Sequence, residues 1–192
     1  MKKIRRIGIF GGTFNPIHMG HLVLAEQVRA RLRLEKVIFV PSNLPPHKRS
    51  RPLVTAQQRY QMVALAIQDN PYFHISDIEL TRGGRSYSVE TVEQLSGVLA
   101  RARLYFIVGS DFSKDFTTWK DFAKLQKLCQ FVIAQRPGYA IRRVPKNMRV
   151  LAISALDISS SDIRQRVQRA ESIRYLVPEK IRKYIWNKKL YR

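Results

Sequence analysis

Two histidines three residues apart stand at the mouth of a helical pattern in Gly8-Ile9-Phe10-Gly11-Gly12-Thr13-Phe14-Asn15-Pro16-Ile17-His18-Met19-Gly20-His21-Leu22. The apolar run Ile7 to Phe10 reads as a strand that ends in two glycines. Glycines let a backbone come close to a phosphate. A helix N-terminus offers N–H groups and partial positive charge to an anion. Residues three apart neighbour one another on a helical face, so the imidazoles of His18 and His21 would face the same anion. The chemistry this suits is the holding of a triphosphate and the stabilisation of charge as one phosphorus is attacked. His-x-x-His alone also suits a metal, but Cys and further His are missing nearby. Gly-Gly alone could simply make a turn.

A second constellation is Ile158-Ser159-Ser160-Ser161-Asp162-Ile163-Arg164. Three hydroxyls sit where a helical pattern begins, and Arg164 falls within its first turns. Such hydroxyls cap helices, and they also bond phosphate oxygens beside a fixed cation. Read alone, the segment is a helix cap; read with the first, it is the other half of a triphosphate site.

The first segment resembles the G-x-F-x-P-x-H-x-G-H motif of the HxGH nucleotidyltransferases, which attach AMP or CMP to a phosphorylated acceptor and release pyrophosphate. The second is similar to their I-S-S-T-x-I-R signature, with Ser161 in the usual place of Thr. Further segments resemble the bacterial nicotinate-nucleotide adenylyltransferases. These are Pro41-Ser42-Asn43-Leu44-Pro45-Pro46-His47-Lys48, Ser86-Tyr87-Ser88 with Thr91, Val108-Gly109-Ser110-Asp111 followed by Trp119, Arg136-Pro137-Gly138, and the ending Asn187 to Arg192. The resemblance runs from Ile4 to Arg192 without a large insertion. Departures are Arg85 where Pro is common, Ser88 where Thr is common and Asn15 where Asp often stands.

That resemblance implies an α/β fold: a Rossmann-like, doubly wound parallel sheet with flanking helices in a single domain, 1–192. It implies transfer of AMP from ATP to nicotinate mononucleotide in NAD biosynthesis. His18, His21 and Arg164 would be catalytic. Gly11, Gly12, Thr13 and Phe14 would bring the loop against ATP, Gly109 and Asp111 would border the adenosine, and Ser160, Ser161 and Arg164 would hold the β- and γ-phosphates. On the acceptor side, Trp119 would stack on the pyridine ring, unless it is an ordinary core tryptophan. Backbone N–H groups of Ser88 and Lys120 would meet the carboxylate. Asn43, Lys48 and Arg136 would serve the ribose and phosphate, and His47 is a contact or only a loop residue. A phosphate monoester is largely a dianion at pH 7, so the nucleophile needs no general base. Mg²⁺ would ride on ATP and keep most of its waters. No protein metal site and no covalent intermediate is expected.

These residues must be positioned by the elements between them. Strand patterns fall at Arg6–Phe10, Lys36–Val40, Phe73–Ile78, Leu104–Val108, Gln130–Ala134 and Val150–Ile153. Helical patterns fall at about Gly20–Leu32, Ala56–Asp69, Val89–Ala100, Phe116–Lys127, Ser161–Arg169 and Pro178–Trp186. Alternation of the two argues for βα units and a parallel sheet. Thr55 with Gln58 makes a capping box, Ser88 could cap the third helix, and Pro178 suits a first helical turn. Leu22, Ala25, Val28 and Leu32 form a core stripe. Tyr72, Tyr105, Tyr184 and Trp186 read as packing aromatics and His74 as structural. In such a sheet ligands sit at the carboxyl ends of the strands, and Gly11-Gly12, Ser42-Asn43, Gly109 to Asp111, Gln135 to Gly138 and Ile158 to Arg164 fall at or just after such ends.

The 192 residues carry 35 Lys plus Arg against 14 Asp plus Glu, a net charge of +21. That balance suits anionic ligands, or nucleic acid, though no recognition motif for nucleic acid accompanies it. The single cysteine, Cys129, excludes an internal disulfide and reads as a buried inert thiol in a reducing compartment. No run reaches the ~20 apolar residues of a membrane span. The expectation is a cytoplasmic enzyme, monomeric or a weak homo-oligomer, with no specific nucleic-acid or membrane partner. The alternatives are an HxGH enzyme acting on nicotinamide mononucleotide, pantetheine phosphate or glycerol phosphate, and a basic nucleic-acid-binding protein.

Overall fold

Near-continuous apolar runs such as Ile7–Phe10 and Leu104–Val108 suit strands covered on both faces, and both lie at the centre of the sheet. The computed structural model describes residues 4–45, 54–109, 119–135, 148–154 and 156–192. Its elements, in order, are β1 (Arg5–Gly12), α1 (Met19–Leu32), β2 (Lys36–Pro41), α2 (Ala56–Ile67), β3 (Phe73–Ile75), α3 (Ile78–Arg82), α4 (Ser88–Val98), β4 (Ala102–Gly109), α5 (Phe122–Leu128), β5 (Gln130–Gln135), β6 (Met148–Ala152), α6 (Ser160–Gln168) and α7 (Glu179–Asn187). The sheet is parallel throughout, in the order β3-β2-β1-β4-β5-β6. The chain winds outward from β1 to β3, then returns to the other side of β1 as β4. That reversal opens a crevice beyond the carboxyl ends of β1 and β4. Gly11, Gly12 and Gly109 stand on its rim.

Each face of the sheet has its own core. Phe10, Val37, Phe39 and Ile107 pack under α1, α2, α6 and α7 with Leu24, Val28, Met62, Ile163 and Ile181. Ile7, Ile9, Phe106 and Phe131 pack under α4 and α5 with Val89, Val92 and Leu125. The alternation along β1 follows the period of two of a strand. Gly8 leaves room on the first face: a Cβ there would lie 2.9 Å from Leu34 Cδ1 and 3.0 Å from Ile107 Cδ1.

Some expected boundaries differ. The third strand stops at Ile75, because the Ser76 N–H still bonds Phe39 O but Ser76 Oγ then takes the Ile78 N–H and the chain turns into α3. The fourth helical pattern becomes α5 only at Phe122, after Asp121 takes a left-handed φ of 48°. Thr55 and Gln58 form the reciprocal capping box. Ser88, in contrast, does not cap α4: Tyr87 holds that position and Ser88 is the first helical residue. Pro178 is one place before the first turn of α7, at the N-cap. Tyr72 and Trp186 are not core aromatics, being 47% and 68% exposed. Each is covered by a guanidinium instead, Arg29 at 4.2 Å and Arg192 at 4.5 Å from the ring centre. His74 lies exposed on the edge strand β3. Leu22 is half-buried, while Ala25, Val28 and Leu32 are core. Cys129 is buried, which pushes its thiol up to about 12. Among the described residues no helix is long and apolar enough to cross a membrane.

Gly8→Val should overpack the first core. We expect a loss of about 1–3 kcal/mol, read as a lower urea midpoint with an unchanged slope; an unchanged midpoint would show that Leu34 and Ile107 move aside freely.

Candidate active site

Strand β1 ends and α1 begins within seven residues, and that short loop is where the two histidines are set. His18 is the N-cap of α1, in extended conformation (φ −146°) and only 2% exposed. Its backbone N–H donates to His21 Nδ1 at 3.2 Å. The two rings lie 3.7 Å apart, inclined by 32°. With Nδ1 of His21 accepting, Nε2 is the nitrogen left to carry a proton outward. Phe14 and Phe10 wall His21, at 5.2 and 6.0 Å between ring centres. Gly20 is required for space: a Cβ there would lie 3.0 Å from His18 Nδ1. The Phe14 side chain is buried, with its ring beneath Gly12, so this residue can offer a ligand only its backbone.

The second signature closes on the first. Ser159, not Ser160 or Ser161, caps α6 by accepting the Asp162 N–H at 3.0 Å. Ser160 Oγ donates to Pro16 O at 2.9 Å, across 144 positions of sequence. Arg164 donates from Nη1 to Asn15 O at 2.8 Å and from Nη2 to Ser161 Oγ at 3.1 Å. The guanidinium has five N–H donors in a fixed fork, so it can hold the loop and still face an anion. Both halves of the expected triphosphate site therefore lie against one another.

Arg59, absent from the sequence reading, is the third tie. It is fully buried, and its fork donates to Thr13 O at 2.7 Å and to Asn43 O at 2.9 Å. Burial pulls its pKa down, yet a guanidinium stays charged. A signal existed: Arg59 shares a helical stripe with Met62, Val63 and Ile67, all buried. A charge in an apolar stripe has to be bonded inside.

A cavity adjoins the loop on the side of β4. Gly11, Thr13, Ser86, Ser88, Trp119 and Lys120 are among its walls. Asn43 is anchored beside it, its N–H on Ser86 Oγ at 2.8 Å and its Nδ2 on Gly84 O at 2.9 Å. Trp119 packs into the second core and also faces the cavity. One edge packs on Phe106 and Phe131, at 5.8 and 6.0 Å, while the ring also lines the cavity. The Lys120 ammonium pairs with Glu90 at 2.8 Å and lies 4.4 Å from the Tyr87 ring centre. Glu79 also borders the cavity and went unread in the sequence. Burial pushes its carboxyl up, against bonds from Ser86 and from Thr91 Oγ1, the latter at 2.6 Å. Gly109 is on the rim, whereas His47, Lys48, Asp111 and Arg136 lie outside the described residues. Among the described residues no group of three or more His, Cys, Asp or Glu is arranged to hold a metal.

The chain matches the cytidylyltransferase-like family model over residues 9–166. It is 44% identical to the "probable nicotinate-nucleotide adenylyltransferase" of Desulfitobacterium hafniense, over 98% of this chain and 96% of that one. The protein of the same name in Moorella thermoacetica is also 44% identical, over 97% and 92% of the two chains. Among solved structures, Plasmodium falciparum nicotinic acid mononucleotide adenylyltransferase complexed with NaAD superposes with a TM-score of 0.80, at 19% identity and 97% coverage of each chain, a likeness of fold. With both phosphate signatures meeting at the crevice and the likeness spanning nearly every residue, the chain belongs to the cytidylyltransferase-like family and, within it, to the nicotinate-nucleotide adenylyltransferases.

Proposed function

We propose that this protein transfers the adenylyl group of MgATP to nicotinate mononucleotide, giving nicotinate adenine dinucleotide and pyrophosphate, as a step of NAD biosynthesis in the cytoplasm. The observation that carries this reading is the junction of the two signatures, Ser160 on Pro16 and Arg164 on Asn15, beside a cavity whose walls run from Gly11 and Thr13 to Ser88 and Trp119. One end suits a triphosphate and the other a small aromatic acid.

In the reaction an oxygen of the acceptor's phosphate attacks the α-phosphorus in line. The bond from that phosphorus to the bridging oxygen breaks, and pyrophosphate leaves with the electron pair. The dianionic nucleophile has no proton to lose, so the protein's work is alignment and charge stabilisation. His18 and His21 meet the α-phosphate and the charge that grows on it. Arg164, Ser160 and Ser161 hold the outer phosphates, and Arg164 steadies the leaving pyrophosphate. Gly11, Gly12 and Thr13 border the nucleotide, with Gly109 and Asp111 toward the adenosine. Mg²⁺ arrives as part of the substrate. Across the cavity, Trp119 takes the pyridine ring, Ser88 and Lys120 offer backbone N–H groups to its carboxylate, and Asn43, Lys48 and Arg136 serve ribose and phosphate. Ser88 as the first residue of α4 favours this, because N–H groups of a first helical turn have no partner within their own helix.

Two measurements test the reading. His18→Ala should lower kcat by about 10²-fold or more, as loss of an electrostatic stabiliser does, with a smaller change in ATP affinity; near-normal turnover would refute the role. Pyrophosphate release should favour nicotinate over nicotinamide mononucleotide. An amide turns an NH₂ toward donors suited to a carboxylate and leaves a buried N–H unpaired, at about 1–3 kcal/mol, or roughly 5- to 150-fold in kcat/KM. Equal kcat/KM for the two acceptors would reassign the substrate.

A further inference from the structure

The loop that presents His18 is also held from the far end of the chain. After α7, Lys188, Lys189 and Leu190 donate their N–H groups back to Tyr184 O, Trp186 O and Ile185 O. Lys189 and Tyr191 take left-handed φ values of 50° and 64°, a conformation that side chains other than glycine rarely adopt. The turn drives Leu190 and Tyr191 into the first core, where Tyr191 is 4% exposed. Its hydroxyl donates to Asn15 Oδ1 at 2.6 Å, across 176 positions of sequence. Asn15 is itself 7% exposed, and its carbonyl is the one that Arg164 holds. A tyrosine this deep needs a partner for its hydroxyl, and packing alone would have been met by phenylalanine.

We propose that Tyr191 is a positioning residue of the adenylyl-transfer site. Its hydroxyl locks the Asn15 side chain, and Asn15 in turn fixes the guanidinium of Arg164 and the peptide run into His18. The proposal rests on the function above for its kinetic part and on ATP affinity for the rest. Burial keeps the phenol protonated, so it acts as a donor at any working pH. The device acts on the nucleotide side: among the described residues Tyr191 bonds Asn15 and no residue of the wall that carries Ser88 and Trp119.

The test is Tyr191→Phe, which removes one oxygen and leaves the ring's packing in place. Calorimetric titration with MgATP should give an affinity weaker by about three- to tenfold, within the reach of one lost buried hydrogen bond. In the coupled pyrophosphate assay kcat should fall about tenfold, with KM for nicotinate mononucleotide unchanged. Asn15→Ala and the double variant complete a cycle: if Tyr191 acts through Asn15, the double variant is no worse than Asn15→Ala alone. Unchanged ATP affinity and kcat in Tyr191→Phe, with or without a lower Tm, would reduce Tyr191 to a packing residue and overturn the proposal. Additive losses in the cycle would overturn it equally, by placing its action elsewhere. Should the wild-type protein bind MgATP yet adenylate no nicotinate mononucleotide, the substrate assignment fails while the affinity comparison still decides the role of Tyr191.

Discussion

Carbonyl oxygens out of reach of water must be bonded, and the loop from β1 to α1 has three that side chains from elsewhere in the fold satisfy. Thr13 O is taken by Arg59 of α2, Asn15 O by Arg164 of α6 and Pro16 O by Ser160 of α6. Leaving such a group bare costs about 1–3 kcal/mol, so two distant elements, α2 and α6, are pinned to one short loop. A peptide group is planar and presents its N–H opposite its C=O. When the Thr13 carbonyl turns to Arg59, the Phe14 N–H turns away from it. Satisfying the oxygens thus aims the loop's donors and brings cations behind it. Stabilising the loop and preparing it for an anion are one physical arrangement.

The strand order places this loop where it can be used. Because β1 lies between β2 and β4, the loops that leave β1 and β2 stand side by side, and β4 opens the crevice next to them. Arg59 spans the first two loops, reaching from Thr13 to Asn43. Asn43 then bonds Ser86 and Gly84, just ahead of α4. A continuous set of hydrogen bonds therefore runs from the nucleotide loop to the wall with Ser88. The rigidity this supplies suits a reaction whose barrier is lowered by alignment rather than by a covalent partner.

The sequence made the sheet legible because its central strands are unbroken apolar runs and its helices carry strong 3.6-residue stripes. That the segment of His18 and His21 meets the segment of Arg164 was legible because each is a short run dense in polar and small residues. What escaped was long-range or depended on who bonds whom. Arg59 is one charge in an apolar stripe, and nothing local says which carbonyls it meets. Tyr191 reads as one more aromatic in a basic tail, and its partner Asn15 lies at the other end of the chain. Ser88 fits a capping pattern, but Tyr87 takes the cap. Phe73–Ile78 carries a strand-like composition, and it is the bond from the Ile78 N–H to Ser76 Oγ, just past the Ser76 N–H bond to Phe39 O, that turns the chain out of the sheet after Ile75.

The charge of +21 divides in the same way between what is exposed and what is buried. Pairs such as Arg5 with Glu35, Lys180 with Asp69 and Arg182 with Glu179 lie near the surface, where salt screens over about 8 Å and an ion pair contributes little. Arg59 is different. Among the described residues its bonded partners are two carbonyls and no carboxylate. A cation held this way loses hydration, which the nearby Glu79 carboxyl opposes through space rather than by a hydrogen bond. Arg59 thus fixes the loop from behind, through the carbonyls of Thr13 and Asn43. The surface lysines and arginines give the protein a positive field that raises the local concentration of anions, whereas the buried Arg59 orders the loop between β1 and α1.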